Sequence, residues 1–289
     1  MTSRELADRI AGQFSGESER ADIWRGFEYF LETDGFLNLG YSGRFQTHLV
    51  GSPQARLVTH VVDRLADLRG DPRGERLLDV GCGRGIPTAY ATSTYGFDGV
   101  GVDLVAHNVA LARANVVDAD RRPSFIVGDA TALPIRDHAM AGAVAIDSIV
   151  YVPDKAGAYA ELARVLKSGG NAVVSDLVVH DETTIDPKTL SRFGEAWDMP
   201  APIPFTAYAE HIERTPLSIR TVEDLTANGV GGFRKWTTTF LTLADGPTGP
   251  LLRRLLVEAG LDATVVIGQI RAAHDALPAL RHVLVTLER

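Results

Sequence analysis

The run Leu77-Leu78-Asp79-Val80-Gly81-Cys82-Gly83-Arg84-Gly85-Ile86-Pro87-Thr88 constrains this chain more than any other. It reads as a buried strand, a glycine turn and the start of a helix. Apolar residues up to Val80 supply the strand. Glycines at 81, 83 and 85 let the backbone bend sharply and approach a ligand closely. The helix that follows points its unpaired N–H groups at whatever occupies the turn. A dinucleotide fingerprint places glycines at the first, third and sixth positions of such a turn. Here the sixth is Ile86. The pattern is instead Asp-x-Gly-x-Gly-x-Gly, led by Asp79.

Further strand-and-acid units follow in order. Val100 to Leu104 is a short apolar run that contains Asp103, roughly twenty residues beyond the first glycine, where the second strand of a doubly wound sheet ends beside the first. Phe125-Ile126-Val127-Gly128-Asp129-Ala130 predicts a third strand followed by an acid. Ala139 to Ile146 predicts a fourth, ending at Asp147-Ser148. Ala160 to Ser175 reads as a helix, a Gly169-Gly170 stop and a fifth strand, with Asp176 and then His180 beyond it.

Taken together, these motifs resemble those of the class I S-adenosylmethionine-dependent methyltransferases that act on small molecules of the sterol, ubiquinone and natural-product sugar types. The glycine turn resembles their motif I. The passage Arg164 to Gly170 resembles their Arg-Val-Leu-Lys-Pro-Gly-Gly, with Ser168 in place of proline. The resemblance is strong over about 75–180 and weaker in the flanks. It implies an α/β fold: a doubly wound, seven-stranded, mostly parallel Rossmann-like sheet of order 3-2-1-4-5-7-6. It implies S-adenosyl-L-methionine as cofactor and S-adenosyl-L-homocysteine as product. By the same resemblance Asp79 holds the amino end of the methionine moiety, and Gly81, Gly83 and Gly85 admit the cofactor. Asp103, with Leu104, takes the ribose hydroxyls. Asp129 and Ala130 read the adenine, and Asp147 and Ser148 complete the cofactor set.

The expected organisation is a helical N-terminal lid segment over 1–70 and a cofactor-binding domain over 71–289, with substrate-cover insertions at about 181–216 and 242–280. Gln54 to Leu68 carries apolar residues at helical spacing. Ahead of it, Asp34 to Ser42 resembles the family segment that folds over cofactor and substrate, which assigns Tyr41 to both. Residues 181–216 lack a clear core pattern but hold prolines and aromatics, so Trp197, Phe205 and Tyr208 are expected to face the substrate. Thr221 to Ala227 predicts a helix. Phe233 to Leu241, rich in β-formers, predicts strand six. Residues 248–277 predict one or two helices. Arg281 to Leu287 predicts an antiparallel strand seven beside strand five.

Methyl transfer from a sulfonium is an in-line displacement, so alignment and exclusion of water dominate. A base matters where the acceptor must lose a proton. Asp147 to Asp154 resembles the family's Glu-Ser-Leu-x-His-Met-Pro-Asp, with Tyr151 where those relatives carry histidine. A tyrosine with an ordinary pKa of about 10 is a poor base. Tyr151, Asp176 and His180 are the catalytic candidates, and Tyr151 is also a substrate contact. His48, His211 and His274 are further histidines placed to reach the pocket.

Composition narrows the partners. Net charge is −8, without the basic footprint of a nucleic-acid binder. No apolar run approaches membrane length, and the N-terminus does not read as a signal peptide. One cysteine, Cys82, points to a cytoplasmic setting. No metal is expected, because no histidine pair or acidic triplet has ligand spacing. The expected partner is a small molecule, with a homodimer compatible. Cyclisation with a bound cofactor is the rival chemistry on the same fold. Protein or RNA methylation would call for a basic strip that the sequence lacks.

Overall fold

The computed structural model describes residues 9, 38–42, 52–116 and 122–289. Most of the expected 1–70 lid, and His48 with it, lies outside the described residues.

Helix α1 (Pro53–Arg69) opens at Ser52, whose Oγ accepts the Ala55 N–H at 3.1 Å. Its buried stripe of Leu57, Val58, Val61, Val62 and Leu65 lies against the sheet. Then come β1 (Arg76–Val80), α2 (Ile86–Tyr90), β2 (Asp98–Asp103), α3 (Ala106–Asn115), β3 (Ser124–Val127) and β4 (Met140–Ile146). A short 3-10 turn (Ile149–Tyr151) leads into α4 (Lys155–Val165) and β5 (Leu166–Val179). The remainder is α5 (Pro187–Ala196), α6 (Phe205–Glu213), β6 (Ser218–Asp224), α7 (Val230–Asp245), α8 (Gly249–Glu258), α9 (Ala263–Ala276) and β7 (Leu280–Glu288).

The sheet has seven strands in the order β3-β2-β1-β4-β5-β7-β6, as expected. β1 to β5 are parallel, and β7 runs antiparallel to both β5 and β6. Leu77, Val144, Val173 and Leu284 pack on α1 from one face. Leu78, Ala143, Val174 and Val283 pack with α4 and α6 on the other. A further apolar cluster joins α5, α7, α8 and α9 through Phe193, Phe233, Leu256 and Ile270. Among the described residues no helix is long and apolar enough to cross a membrane.

Three elements differ from expectation. Of the stretch predicted as a helix at 221–227, Thr221 to Asp224 belong to β6, an edge strand paired with β7 and carrying the β-branched Ile219, Thr221 and Val222. The stretch predicted as strand six, Phe233 to Leu241, lies inside α7. Its β-formers are outweighed by spacing: Val230, Phe233, Thr237, Leu241 and Ala244 recur on one helical face and are buried. The threonines adapt by bonding back to the helix, as Thr238 Oγ1 does to Arg234 O at 2.7 Å and Thr239 Oγ1 to Lys235 O at 3.0 Å. Finally, α4 ends at Val165, ahead of the glycines. Gly169, at φ 71°, instead bends the start of a long β5.

The segment 181–216 also carries more core than expected. It contains α5 and α6, and Tyr208 and Ile212 of α6 are fully buried under the sheet.

Candidate active site

A cavity of about 280 Å³ opens beyond the C-terminal ends of β1, β2 and β4. That is where open α/β sheets bind ligands. The glycine turn forms one side. Gly81, Gly83 and Gly85 all have left-handed backbone, at φ 73°, 52° and 83°. The N–H groups of Gly81 and Cys82 both donate to Val102 O, at 2.7 and 3.1 Å, which fastens the turn to β2. A Cβ on Gly81 would lie 2.4 Å from Ser148 Cβ. Gly81 and Gly83 line the cavity. Gly85 does not; a Cβ there would lie 2.6 Å from the Phe125 ring, so its absence of a side chain serves packing.

Asp103 sits on the cavity wall at the end of β2. Its Oδ2 accepts the Gly83 N–H at 2.8 Å, and its Oδ1 accepts the Val105 N–H at 2.9 Å and Asn108 Nδ2 at 3.3 Å. Burial raises its carboxyl above the usual range. A carboxylate offers about four lone-pair sites, so acceptor capacity remains toward the cavity. Leu104, Asp129, Ala130 and Thr131 continue the wall. Asp129 Oδ1 accepts both the N–H and the hydroxyl of Thr131, each at 2.8 Å.

Asp79 lies behind this wall and is 1 % exposed. Thr88 Oγ1 donates to its Oδ2 at 2.6 Å, while Oδ1 has no protein partner. Burial pushes its carboxyl up to about 7, against the Thr88 bond that lowers it. Cys82 is buried as well, and burial drives its thiol far up, which keeps it protonated.

Another part of the cavity wall is built by the residues after β4. Asp147, Ser148, Tyr151, Val152, Pro153 and Asp154 line the cavity. Ser148 Oγ donates to Val80 O at 2.6 Å, tying this loop to β1. Asp147 has φ 50° and is buried. Its Oδ1 accepts Ser175 Oγ at 2.8 Å and His282 Nε2 at 2.9 Å, and its Oδ2 accepts the Leu39 N–H at 2.9 Å. Burial pushes the Tyr151 phenol well above its ordinary value, and the charges of Asp147, Asp198 and Asp176 push the same way.

Several residues expected at the site lie elsewhere. Asp176 is fully buried on the opposite face of the sheet, among Lys155 and the tyrosines 159 and 208, and does not line the cavity. Alternation along β5 decides this, because successive side chains take opposite faces. Tyr208 bonds Tyr159 through their hydroxyls and stays under the sheet. Phe205 stacks on Tyr208 and lies under the Arg281 guanidinium. Trp197 is in the helical core, with Nε1 donating to Gln269 O at 3.2 Å. Tyr41 stacks on His60 at 5.0 Å, and its backbone O accepts Arg56 Nε. The His180 N–H donates to Ala279 O, outside the cavity lining. His274 Nδ1 meets Thr237 Oγ1 at 2.9 Å. His211, on α6, has a buried Nδ1 with no partner. Among the described residues no group of His, Cys, Asp or Glu is arranged to hold a metal.

Sequence reasoning missed His282 and Lys155. Each is a lone polar residue in an ordinary-looking element, and only the fold brings them to Asp147 and to the loop after β4. Thr88 and Asn108 had a weak signal, as polar residues on the inner faces of the helices that follow β1 and β2.

The expected sulfonium cofactor suits this cavity on its own terms. The glycine turn leaves room against Ser148 that any Cβ would fill. The buried Asp79 oxygen without a partner matches an ammonium donor. The Asp103 carboxylate matches a vicinal diol.

A family model described as a methyltransferase domain matches residues 78–174. An O-methyltransferase of Pyrenophora dematioidea is 30% identical over 66% of this chain and 71% of its own length. The 27-O-demethylrifamycin SV methyltransferase of Amycolatopsis mediterranei is 27% identical over 80% of this chain and 83% of its own. A solved geranyl diphosphate methyltransferase, in complex with GPP and sinefungin, covers 99% of both chains at a TM-score of 0.73 with 18% identity.

Proposed function

This chain belongs to the class I S-adenosylmethionine-dependent methyltransferases that act on small molecules, and we propose that its acceptor is an acidic hydroxyl, phenolic or enolic, on a natural product. The cofactor supplies a methyl group already activated on sulfur, which leaves S-adenosylhomocysteine after in-line displacement. The chain's own residues must then bind, align and exclude water.

One observation carries the choice of acceptor. Among the described residues no histidine lines the cavity, and the ionisable groups after β4 that do line it are the Tyr151 phenol and the carboxylates of Asp147 and Asp154, which are weak bases toward an alcohol. Burial and nearby carboxylates keep the Tyr151 phenol protonated. The Asp147 carboxylate is engaged by Leu39, Ser175 and His282. An aliphatic alcohol would need a strong base here, whereas a phenol or enol loses its proton far more readily. In this reading Tyr151 donates a hydrogen bond that orients the acceptor oxygen. Asp103 holds the ribose diol, and Asp129 with Ala130 holds the adenine. Asp79 holds the ammonium from behind the glycine turn. Relatives named as O-methyltransferases support oxygen over nitrogen or carbon.

The N-terminal residues act as the lid in the same reading, supported by the Leu39 N–H on Asp147. A cytoplasmic location also belongs to it, supported by the single Cys82.

The test is release of S-adenosylhomocysteine with a panel of phenols, enols and aliphatic alcohols of matched size. The reading expects turnover that follows the acidity of the hydroxyl. Turnover of aliphatic alcohols alone would overturn the acceptor class. Product formed without any release would point to cyclisation instead.

A further inference from the structure

Lys155 is the first residue of α4 and is 5 % exposed. Both facts run against a lysine. The positive end of the helix dipole disfavours a cation in the first turn, and a buried ammonium is costly unless each N–H finds an acceptor. Here every N–H does. Nζ donates to Ile149 O at 3.0 Å, Val150 O at 3.2 Å and Val152 O at 3.1 Å. Burial draws the ammonium's pKa down, and the buried Asp176 carboxylate draws it back.

The three acceptors belong to one turn. They hold the loop after β4, and that loop carries Tyr151, Val152, Pro153 and Asp154 into the cavity wall. Its other ties include the Tyr151 N–H to Ser148 O at 3.2 Å, the Val152 N–H to Ile149 O at 2.9 Å, Ser148 to Val80 O, and the Gly157 N–H to Asp154 Oδ1 at 2.9 Å. An ammonium has three donors and no acceptor. It can therefore bind three carbonyls at once, those of the buried Ile149 and Val150 and of Val152.

We propose that Lys155 is a positioning residue: its ammonium gathers the carbonyls of Ile149, Val150 and Val152 and so fixes the Tyr151–Asp154 wall against which cofactor and acceptor are aligned. What the wall faces rests on the methyl-transfer reading; the knot itself rests on the bonds. Such alignment matters because displacement of a reacting group by about 1 Å can cost roughly a hundredfold in rate.

The experiment compares wild type, Lys155→Met and Lys155→Arg by amide hydrogen exchange and by calorimetry with S-adenosylhomocysteine. Lys155→Met is expected to speed exchange at Tyr151 and Val152 by about tenfold or more, the effect of losing one charge-assisted bond, while β1 and β4 amides hold their rates. S-adenosylhomocysteine affinity is expected to fall by a similar factor. Lys155→Arg, which keeps charge and donors, is expected to recover most of both. Unchanged exchange at Tyr151 and Val152 would overturn the proposal. So would an equal rise across β1 and β4, which marks general loosening.

If Lys155→Met does not fold, wild type carries the test. A triply bonded, buried ammonium gives a slowly exchanging ¹⁵N–H signal that is absent in Lys155→Arg, and no such signal in wild type overturns the proposal. Wild type that shows the signal yet binds no S-adenosylhomocysteine leaves the knot standing and removes the methyl-transfer reading.

Discussion

His282 Nε2 lies 2.9 Å from Asp147 Oδ1, joining the antiparallel β7 to the residue that ends β4. Asp147 sits there in left-handed backbone, and both its carboxylate oxygens are used. The pair is buried, with His282 fully so. Gly229 makes it fit, because a Cβ at that position would come within 2.2 Å of His282 Nδ1.

Removing one partner of a buried pair leaves the other charge without compensation, at a cost of about 3–5 kcal/mol. His282→Ala is therefore expected to lower stability in urea by that order, and His282→Gln, which keeps a donor, by clearly less. Burial alone would raise the Asp147 carboxyl. The His282 charge and the hydrogen bonds overcome burial and hold it below the usual range. Its contribution is present above the unfolded carboxylate pKa of about 4 and is lost as pH falls through the lower folded value. Urea titrations of wild type and His282→Gln below pH 5 check that sign.

Asp103 gives a sharper test of cofactor binding. Asp103→Asn keeps shape and one acceptor but removes the charge. A hydrogen bond to a charged group is worth about 1.5–3 kcal/mol, so S-adenosylhomocysteine affinity is expected to fall by roughly ten- to a hundredfold. Calorimetry measures it, and unchanged affinity would sink the ribose assignment.

Gly81→Ala separates two constraints at the turn. The new Cβ meets Ser148 Cβ at 2.4 Å, and the residue must also hold φ 73°. The single variant is expected to lose both stability and cofactor binding. Adding Ser148→Gly relieves the clash but also removes the Ser148 bond to Val80 O, so the reference is Ser148→Gly alone. The double variant is expected to lie about 1–2 kcal/mol below that single variant in urea denaturation, the cost of left-handed backbone in a residue with a Cβ.

The ligand-free protein is expected to lose stability as pH rises from about 4 to 7. Burial pushes both Asp79 and Asp176 up to about 7. Between the unfolded and folded pKa values the native state binds more protons than the unfolded state. Stability then falls with rising pH by up to about 1.4 kcal/mol per unit for each group and levels off above the folded value. Asp176→Asn removes one of the two titrations. A flatter slope in that variant, measured in urea at pH 5, 6, 7 and 8, is the expected result.

The cavity wall made by the glycine turn and the acids after β2 and β3 was legible because its signals are local. A strand, a left-handed glycine turn and an acid fall within a few residues of one another at Asp79–Gly85, and the acids at 103 and 129 stand at or just after the ends of β2 and β3. The placement of residues beyond β4 was not, because its signals are distant or masked by propensity. Asp176 was read toward the pocket, but the two-residue alternation of β5 turns it under the sheet. Tyr208 and Trp197 looked like a substrate cover because the prolines around them hid the helices α5 and α6. Phe233 to Leu241 was mistaken for a strand because β-branched residues can enter a helix whose face is buried. His282 carries no local signal at all; its meaning comes from strand order.

That order sets a timetable for synthesis. β7 lies between β5 and β6, so β6 has no neighbour in the sheet until residues 280–288 have emerged from the ribosome. A nascent chain that already displays every cofactor motif still lacks the histidine that compensates Asp147. Until then a buried-to-be carboxylate and two strand edges stay open to water and to chaperones, and the finished pocket waits for the strand of this sheet that comes last in chain order.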